Sequence, residues 1–499
     1  MPLAERPPRD RHGLPDPAAT FAGGAWGLTI GGLFLHRVRS HGGQVALQTA
    51  AGRWTWAALN ERANRLAHGL LRHGLVPGDC VAVLSENRHE FVELQLACAK
   101  LGLAVACQNW RLADDELRHC IGLVQPRWLF TSERHAPRLA GLDPLPQPPV
   151  VFGGAYEALL AASRSDEPTH GALPEDPWVV LYTSGSTGHP KAAAISHRAL
   201  LARAAIALAD AFVHPGRTFV AWAPMFHIAS TDATMISLLH GSPVMLLDGF
   251  DAAHIAQVLT TQEVGTLSLM PATIAPLLEA LRRLGRPVLG VRATGAMADL
   301  VPPTQIAEIT TLLGAPYRNS FGSTETGYAP ASKGVIPVGV VPTSFAKTQS
   351  SFCEVRLVDE EGRDVPDGMP GEVWMRGPSL FSGYWNAPQV NATLFHGGWY
   401  AMGDVMRRHA DGTFDFVDRR KYLIKSGGEN IYPAEIERLL LASPRIADAA
   451  VVRQAHAHWG EVPVAFVVAA DDTLDEAAVL ALLRGRIAGY KLPKRVLLV

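Results

Sequence analysis

The chain has 499 residues, of which 48% are hydrophobic and 18% charged, and this composition excludes an intrinsically disordered protein. The 45 basic and 47 acidic residues give a formal net charge of −2, which argues against a nucleic-acid-binding protein. No apolar run reaches the roughly 18 residues that a membrane-spanning helix needs, so we expect no integral membrane association. The 5 cysteines include no closely spaced pair, which indicates neither a disulfide framework nor a zinc site and favours the cytoplasm.

Helical and extended patterns alternate along most of the chain and predict its organisation. Residues 1–25 combine charges with prolines and are expected to form a loose N-terminal tail. Apolar residues at three- and four-residue spacing predict helices within residues 54–101, and short apolar runs predict the strands between them. The same alternation returns over residues 176–300. Units of this kind build parallel sheets that are covered by helices.

The pattern changes twice towards the C-terminus. From about residue 335, short strands joined by Gly, Pro and Asp turns predict a small β-barrel-like part. Beyond Lys421, two helices alternate with strands and predict a small α+β unit. We therefore predict an α/β protein with a large N-terminal lobe of doubly wound sheets, residues 26–420. A small mobile α+β C-terminal domain, residues 421–499, follows it.

One segment rich in Gly, Ser and Thr carries the strongest chemical signal. Residues 181–191 read LYTSGSTGHPK, in which a lysine follows three residues after the second glycine. Glycines allow backbone N–H groups to turn towards an anion, hydroxyls add donors and the lysine adds positive charge. The spacing GxxxxGK of a Walker A loop is absent, so a different phosphate-binding loop is indicated. Its candidate residues are Thr183, Ser184, Gly185, Ser186, Thr187, Gly188 and Lys191.

This segment resembles the phosphate-binding signature of adenylate-forming enzymes, which include acyl-CoA synthetases, peptide-synthetase adenylation domains and luciferases. Further motifs of that superfamily follow in order, and the resemblance extends from about Trp54 to Pro493. It implies an acyl-CoA synthetase, an acid–thiol ligase that uses ATP, Mg²⁺ and coenzyme A. In the implied reaction a carboxylate attacks the α-phosphate of ATP and releases pyrophosphate, and the CoA thiol then displaces AMP.

A second group of motifs supplies residues for the nucleotide and the metal. Residues 319–325, NSFGSTE, are similar to the superfamily's aromatic-Gly-x-Thr-Glu motif. Phe321 can stack on a purine, Thr324 can hydrogen-bond the α-phosphate, and Glu325 offers the hard oxygen ligand that suits Mg²⁺. The resemblance adds an adenine-side group of small or apolar residues: Gly295, Ala296, Met297, Ser320 and Gly322.

Two further motifs correspond to the acid and the ribose. His227, in the segment APMFH, matches the region that closes over the carboxylate, where an imidazole can donate a hydrogen bond. Asp404, in WYAMGD, resembles the residue that accepts both ribose hydroxyls, and a carboxylate has acceptor sites on two oxygens for this purpose. Arg419 resembles its partner on the ribose. Met402 replaces the threonine that usually precedes this Gly-Asp pair, but the carboxylate is retained.

The C-terminal domain carries the hinge and the thiol-side residues that the resemblance implies. Lys421 falls at the hinge about which the small domain rotates between the two half-reactions. Lys425 matches the lysine that serves the second half-reaction in some members. Trp459, in the segment HWGE, resembles a residue near the pantetheine arm. The loop bordering the thiol tunnel comprises Ser426, Gly427 and Gly428.

One lysine of the superfamily has no counterpart in this sequence. It lies in a Gly-rich loop beyond the YKLPK segment and offsets negative charge during adenylation. Lys491 and Lys494 precede that position and do not match it, and the sequence stops at Val499 within a predicted strand. We therefore expect the sequence to be truncated before this lysine.

Alternatives to a CoA ligase stay open at this stage. An enzyme of the same fold could load a carrier protein, although the segment PMFHIAS holds no Asp that could pair with a substrate's α-amino group and Asp232 lies only just beyond it. A nucleotide- or acyl-adenylate-binding protein without adenylation activity is compatible with the missing lysine, and luciferase-like oxygenation is not distinguished by sequence. A homodimer is expected only from the resemblance. Several of the pocket candidates are small or apolar, which favours a fatty or aryl acid over a charged one; the candidates are His227, Ala229, Ser230, Met270, Thr294, Gly295 and Ser320.

Overall fold

The computed structural model describes residues 28–142, 147–169, 171–183, 190–299, 301–426, 429–456, 459–470 and 474–499. The predicted N-terminal tail, residues 1–25, lies outside these ranges. The helices are α1 (Ile30–His41), α2 (Trp56–Arg72), α3 (His89–Leu101), α4 (Asp114–Val124), α5 (Ala136–Leu139), α6 (Gly154–Ala161), α7 (His197–Ala209), α8 (Ile228–Leu239), α9 (Ala252–Thr261), α10 (Pro271–Leu284), α11 (Pro303–Leu313), α12 (Pro388–Leu394), α13 (Pro433–Leu441) and α14 (Glu476–Leu483).

The strands are numbered separately from the helices, also in chain order. Those up to the middle of the sequence are β1 (Val45–Thr49), β2 (Gly52–Thr55), β3 (Cys80–Leu84), β4 (Ala104–Cys107), β5 (Trp128–Thr131), β6 (Val150–Val151), β7 (Pro177–Thr183), β8 (Lys191–Ser196), β9 (Phe219–Ala221), β10 (Val244–Leu246), β11 (Val264–Leu267) and β12 (Val291–Thr294). The remaining strands are β13 (Tyr317–Arg318), β14 (Phe321–Ser323), β15 (Gly327–Ala331), β16 (Val335–Ile336), β17 (Glu354–Val358), β18 (Pro370–Arg376), β19 (Gly383–Tyr384), β20 (Phe395–His396), β21 (Trp399–Arg408), β22 (Phe414–Arg419), β23 (Ile424–Ser426), β24 (Glu429–Ile431), β25 (Ile446–His456), β26 (Gly460–Ala469) and β27 (Arg495–Leu498).

The chain separates into two compact units. Unit 1 comprises Met1–Ser344, Ser350–Cys353 and Gly377–Asn391, and unit 2 comprises Phe345–Gln349, Glu354–Arg376 and Ala392–Val499. Unit 2 is thus assembled from separate stretches of the chain. The predicted domain boundary near Lys421 stays a prediction.

Unit 1 is built on a largely parallel sheet of order β19-β8-β7-β4-β3-β5-β6. β3 pairs in parallel with β4 and β5, and β4 pairs in parallel with β7, whereas β8 and β19 join in antiparallel fashion. Every residue of β3 and β4 is buried, as expected for strands covered by helices on both faces. Two further sheets have the orders β2-β1-β10-β9 and β11-β12-β13-β16. These sheets correspond to the predicted helix–strand alternation.

The local sequence explains where several elements begin and end. Thr55 caps α2, since its side chain accepts a hydrogen bond from the backbone N–H of Ala58. The second helix predicted beyond Lys421, for which the apolar pattern runs over residues 474–488, ends earlier, at Leu483, because Gly485 adopts a φ of +75° that a right-handed helix does not contain. The sequence pattern does not indicate α8, whose buried face includes Ser and Thr side chains that hide its apolar period.

Unit 2 contains an antiparallel sheet of order β17-β18-β21-β20, with β22 paired to β21. A second sheet has the order β24-β23-β26-β25, and β27 adds to β26 in parallel. Apolar residues of α13 and α14, including Ile436 and Val479, share a core with Ile424 and Val467 of this second sheet. The second sheet and its helices form the predicted α+β arrangement. None of the helices in the described ranges combines the length and apolar character of a membrane-spanning segment.

A buried histidine is expected to make unit 1 sensitive to acid. His197 at the start of α7 is fully buried, and its Nδ1 accepts the backbone N–H of Ile30 at 3.1 Å. Burial lowers the pKa of His197 from 6.5 to about 4. As the pH falls below 6.5 the unfolded chain takes up a proton that the folded protein excludes, so stability decreases through this window. We expect this residue to lower the free energy of unfolding by about 2 kcal/mol between pH 7 and pH 5.

Urea denaturation at the two pH values measures this effect. His197→Asn supplies an amide oxygen near the position of Nδ1 and removes the titrating group. The variant should therefore lose this share of the pH dependence. An equal drop in stability in the variant and the parent protein would assign the acid sensitivity to other groups.

Candidate active site

The predicted phosphate-binding loop joins two paired strands of unit 1. β7 ends at Thr183 and β8 begins at Lys191, and these two residues are partners in the antiparallel register. Both strands have neighbours on either side in the sheet, so the ends of the loop are fixed. The loop residues Ser184, Gly185, Ser186, Thr187 and Gly188 lie outside the described residues.

Tyr384 connects the lysine of this hairpin to the predicted metal ligand. It lies on β19, which pairs with β8. The Lys191 Nζ is 5.3 Å from the centroid of the Tyr384 ring, and the Tyr384 hydroxyl donates a hydrogen bond to Glu325 Oε1 at 2.6 Å. One tyrosine thus contacts a cation suited to phosphate through its ring and a carboxylate suited to a metal through its hydroxyl. Sequence reasoning missed Tyr384, because a Gly-Tyr pair is too common to be a signal.

Glu325 occupies the turn between β14 and β15 and is 7% exposed. Thr326 shapes this turn, since its Oγ1 accepts the backbone N–H of Ser323 at 3.0 Å. A Cβ atom at Gly322 would lie only 2.0 Å from the carbonyl oxygen of Gly327, so the close backbone approach requires glycine there. Phe321 and Thr324, the other members of the motif, are half-buried.

A buried ion pair braces the same turn. The fully buried Arg203 donates from Nη2 to the carbonyl oxygen of Thr324 at 3.0 Å and from Nε to that of Ser379 at 3.0 Å. Its Nη1 pairs with Asp232 at 2.8 Å. Burial raises the pKa of Asp232, and Arg203 opposes this rise. Sequence reasoning missed Arg203, for which no local motif exists.

The same ion pair bears on the carrier-loading alternative. Asp232 is 2% exposed and its carboxylate is engaged by Arg203. A substrate's α-amino group therefore has no access to it in this arrangement. The carrier-loading alternative itself stays open, because the pairing of Asp232 with Arg203 does not decide which thiol receives the acyl group.

The predicted adenine-side residues lie against one another in unit 1. Gly295 has a φ of +88°, and a Cβ atom there would lie 2.4 Å from the ring of Tyr317, so both conformation and space require glycine. The backbone N–H of Ser320 donates to the carbonyl oxygen of Ala296 at 2.9 Å. Met297 is 40% exposed. The two predicted segments are thus joined directly by a hydrogen bond.

His227 is the N-cap residue of α8. Its Nδ1 accepts the backbone N–H of Ala229 at 3.2 Å. Desolvation by the surrounding protein lowers the pKa of His227, and the nearby Arg111 guanidinium lowers it further. The ring is therefore neutral at pH 7, and because Nδ1 accepts a hydrogen bond, the proton resides on Nε2. Because His227 keeps some solvent-accessible surface, Nε2 is available to donate a hydrogen bond to a ligand.

Next to His227 in the chain, Phe226 forms a cluster with Trp110 and Arg111. The Arg111 guanidinium lies 5.0 Å from the ring centroid of Trp110 and 5.9 Å from that of Phe226. The two rings meet edge to face at 5.9 Å. Asn87 holds the segment before His227, since its Oδ1 accepts the backbone N–H of Met225 at 2.7 Å. Sequence reasoning missed Trp110, Arg111 and Asn87, which are distant from the motif along the chain.

In unit 2, the predicted ribose residues are direct partners. Asp404 on β21 and Arg419 on β22 are opposite each other in the antiparallel register, and Arg419 Nε lies 3.2 Å from Asp404 Oδ1. Asp404 is buried, whereas the side chain of Arg419 is 52% exposed. Asp418 holds the backbone next to this pair, since its Oδ1 accepts the backbone N–H of Arg419 at 2.6 Å. The pair presents a carboxylate beside a solvent-accessible guanidinium.

The predicted thiol-side residues also meet within unit 2. Ser426 on β23 is the register partner of Gly460, the neighbour of Trp459. Trp459 is 44% exposed. The Lys425 Nζ donates to Glu360 Oε1 at 2.5 Å, and this ion pair is exposed to solvent. Gly427 and Gly428 lie outside the described residues.

The protein residues do not build a metal site by themselves. Within the described part of the chain, no group of three or more His, Cys, Asp and Glu side chains is arranged to hold a metal ion. Mg²⁺, however, is commonly bound by one or two carboxylates together with substrate phosphates and water. The single carboxylate of Glu325, beside Lys191 and the phosphate-loop hairpin, fits that mode of binding.

Comparisons with known proteins show which family the chain belongs to. Residues 34–385 match the model of AMP-binding enzymes, and residues 435–499 match that of the AMP-binding enzyme C-terminal domain. An indoleacetate–CoA ligase of Aromatoleum aromaticum is 34% identical over 466 residues, 91% of each chain. A feruloyl-CoA synthase of an Amycolatopsis species is 32% identical over 473 residues, 94% of each chain. The solved structure of ATP-bound MatB from Rhodopseudomonas palustris has a TM-score of 0.82 at 26% identity and covers 95% of each chain.

The chain therefore belongs to the AMP-binding enzyme family. Its relatives include acyl- and aryl-CoA ligases and also a fatty acid–acyl-carrier-protein ligase of Streptomyces coeruleorubidus, which is 30% identical over 457 residues. The predicted superfamily and mixed α/β fold are confirmed, and the enzyme class with its cofactors ATP, Mg²⁺ and coenzyme A is confirmed at the level of this family. The roles of the individual site residues stay predictions.

Proposed function

We propose that this chain activates a fatty or aryl carboxylic acid with ATP and transfers the acyl group to coenzyme A. The carboxylate oxygen attacks the α-phosphorus, pyrophosphate leaves, and the thiol sulfur then replaces AMP on the acyl carbon. The observation that carries the proposal is the arrangement Lys191–Tyr384–Glu325 at the base of the phosphate-loop hairpin. An acid and a triphosphate repel each other, so positioning and charge stabilisation are the main tasks of such an enzyme.

In unit 1, the proposed roles follow from charge and position. Lys191, with Thr183 and the glycine-rich loop, would hold the outer phosphates of ATP. Glu325 would hold Mg²⁺, which when bound neutralises phosphate charge. Thr324 would hydrogen-bond the α-phosphate, and Phe321 would stack on the adenine. The adenine-side loop, Gly295 to Met297, would line the nucleotide next to Ser320 and Gly322.

For the acid, we propose that His227 donates from Nε2 to the carboxylate. Because the His227 ring is neutral at pH 7, it does not compete as a cation with Mg²⁺ and Lys191 for the phosphates of ATP. Two relatives are named for indoleacetate and ferulate, both aryl acids. Phe226, next to His227 in the chain, is buried in an edge-to-face contact with Trp110, so the surroundings of this segment are aromatic and apolar. Aryl acids are therefore the first class to test, and fatty acids are the second.

In unit 2, Asp404 would accept the ribose hydroxyls, with Arg419 beside it. Lys425, Ser426, Gly427, Gly428 and Trp459 would serve the thiol step. The Lys425–Glu360 ion pair is exposed, so Lys425 can leave Glu360 for another partner at little cost in free energy.

We also propose a cytoplasmic location, which the free thiols of all 5 cysteines support. A homodimer stays a prediction from the resemblance.

Pyrophosphate release from Mg-ATP over a panel of aryl, fatty and short dicarboxylic acids tests this function. Each acid is assayed alone, with CoA, and with a phosphopantetheinyl carrier protein in place of CoA. We expect CoA-stimulated release with one acid class and formation of the corresponding thioester. Transfer only to the carrier would instead identify a carrier-loading enzyme. Nucleotide binding without pyrophosphate release with any acid would indicate a binding protein.

A further inference from the structure

We propose that Tyr384 positions Glu325 so that a single carboxylate oxygen is free for the metal, which makes the site select Mg²⁺ over Ca²⁺. The inference rests on the proposed role of Glu325 as the metal ligand. Tyr384 lies outside the predicted motifs. It acts by positioning Glu325 and does not contact the substrate itself.

The hydrogen bond between the two side chains is shielded from water. The Tyr384 hydroxyl donates to Glu325 Oε1 at 2.6 Å, and the residues are 8% and 7% exposed. A hydrogen bond to an ionised carboxylate in such surroundings is strong and directional. Within the described residues no second side chain donates to the Glu325 carboxylate. Oε1 is therefore occupied, and Oε2 is left for a ligand.

Tyr384 is itself held firmly in place. Its backbone N–H donates to Asn391 Oδ1 at 2.8 Å, and Asn391 Nδ2 donates to its carbonyl oxygen at 2.9 Å. Its ring meets that of Phe381 edge to face at 5.0 Å, and the Phe381 N–H donates to the carbonyl oxygen of Glu325 at 2.8 Å. The tyrosine and the glutamate therefore belong to one rigid assembly within unit 1. The hydroxyl cannot move away without breaking these contacts.

The number of free oxygens matters for the choice of metal. Mg²⁺ requires near-octahedral geometry and is commonly bound by carboxylates through one oxygen, whereas Ca²⁺ accepts six to eight ligands and often takes both oxygens of a carboxylate. A carboxylate with one oxygen bound to a tyrosine offers Mg²⁺ its preferred contact and denies Ca²⁺ the second oxygen. The same ring also contacts Lys191, so one side chain sets the spacing between the phosphate cation and the metal ligand.

Calorimetric titration of MgCl₂ and CaCl₂ into the full chain with α,β-methylene-ATP tests the inference without relying on turnover. Tyr384→Phe keeps the ring that packs on Phe381 and Lys191 and removes only the hydroxyl. We expect Mg²⁺ affinity to fall about tenfold and Ca²⁺ affinity to be unchanged or higher, since a hydrogen bond to a charged group is lost. The Mg²⁺/Ca²⁺ affinity ratio should therefore fall by about tenfold or more.

Tyr156→Phe is the matched control. Tyr156 is another fully buried tyrosine of unit 1, and its hydroxyl donates to Glu93 Oε2 at 2.7 Å. Its loss removes the same kind of hydrogen bond at a position outside the predicted site. We expect metal affinities within twofold of the parent protein. A fall in the Mg²⁺/Ca²⁺ ratio in this control equal to that in Tyr384→Phe would overturn the inference by showing a general effect on folding.

Glu325→Gln, titrated in parallel, separates the inference from the proposed function. If this variant binds Mg²⁺ as the parent protein does, the metal role of Glu325 is wrong and the inference about Tyr384 falls with it. If Glu325→Gln loses Mg²⁺ affinity while Tyr384→Phe keeps the parent Mg²⁺/Ca²⁺ ratio, only the inference about Tyr384 is wrong.

Discussion

Glu325→Gln is expected to reduce acid-dependent pyrophosphate release by about 100-fold, equivalent to about 3 kcal/mol of lost transition-state stabilisation. Glutamine retains the volume of the side chain and an oxygen that can accept the Tyr384 hydroxyl. It lacks the negative charge that a divalent cation requires. Because the hydrogen bond and the turn between β14 and β15 are preserved, the thermal midpoint of unfolding should change little.

Steady-state assays at saturating Mg²⁺ measure this effect with the acid that the panel identifies. Glu279→Gln, on the exposed face of α10, removes the same charge far from the turn along the chain and serves as the control. Its release rate should equal that of the parent protein. A Glu325→Gln rate within about threefold of the parent value would show that Glu325 is not the metal ligand.

Asp404→Ala is expected to raise the KM for ATP by about 150-fold or more. Two hydrogen bonds from ribose hydroxyls to a carboxylate are lost, and each hydrogen bond to a charged group contributes about 1.5–3 kcal/mol. Its partner Arg419 is 52% exposed, so the unpaired guanidinium remains solvated and folding is little affected. The KM for the acid should therefore stay close to that of the parent protein.

ATP-dependence curves at a fixed acid concentration measure this change. Asp415→Ala is the matched control, since Asp415 lies on β22 with a carboxylate oxygen 2.9 Å from His409 Nε2, separate from the Asp404–Arg419 pair. An unaltered KM for ATP in Asp404→Ala, or an equal rise in Asp415→Ala, would remove Asp404 from the proposed nucleotide site.

The parts of the fold that local sequence determines were predictable. Apolar spacing placed α2, α3 and α7, and uninterrupted apolar runs placed β3, β4 and β7. These elements are governed by the periodicities of helices and of buried strands. The pairing of Asp404 with Arg419 also followed, because the resemblance assigned both residues to one ligand and the two strands meet in register.

The contacts that support the site were not predictable from local sequence. Tyr384 and Glu325 are separated by 59 positions, and Arg203 and Thr324 by 121, yet each pair is joined by a hydrogen bond. Such contacts depend on how the sheets assemble, and the residues that neighbour them in the sequence do not indicate them. α8 was missed for a related reason. Its polar positions are buried by the fold and not marked by periodicity.

Transfer of ¹⁸O from a labelled acid to AMP tests the central claim most directly. The acid is labelled in its carboxylate and incubated with the chain, Mg-ATP and CoA, and the products are analysed by mass spectrometry. If the carboxylate attacks the α-phosphorus and the thiol then displaces AMP, one ¹⁸O atom appears in AMP and none in pyrophosphate. Label in orthophosphate or pyrophosphate, or thioester formation with unlabelled AMP, would contradict an acyl-adenylate intermediate and the account built on it.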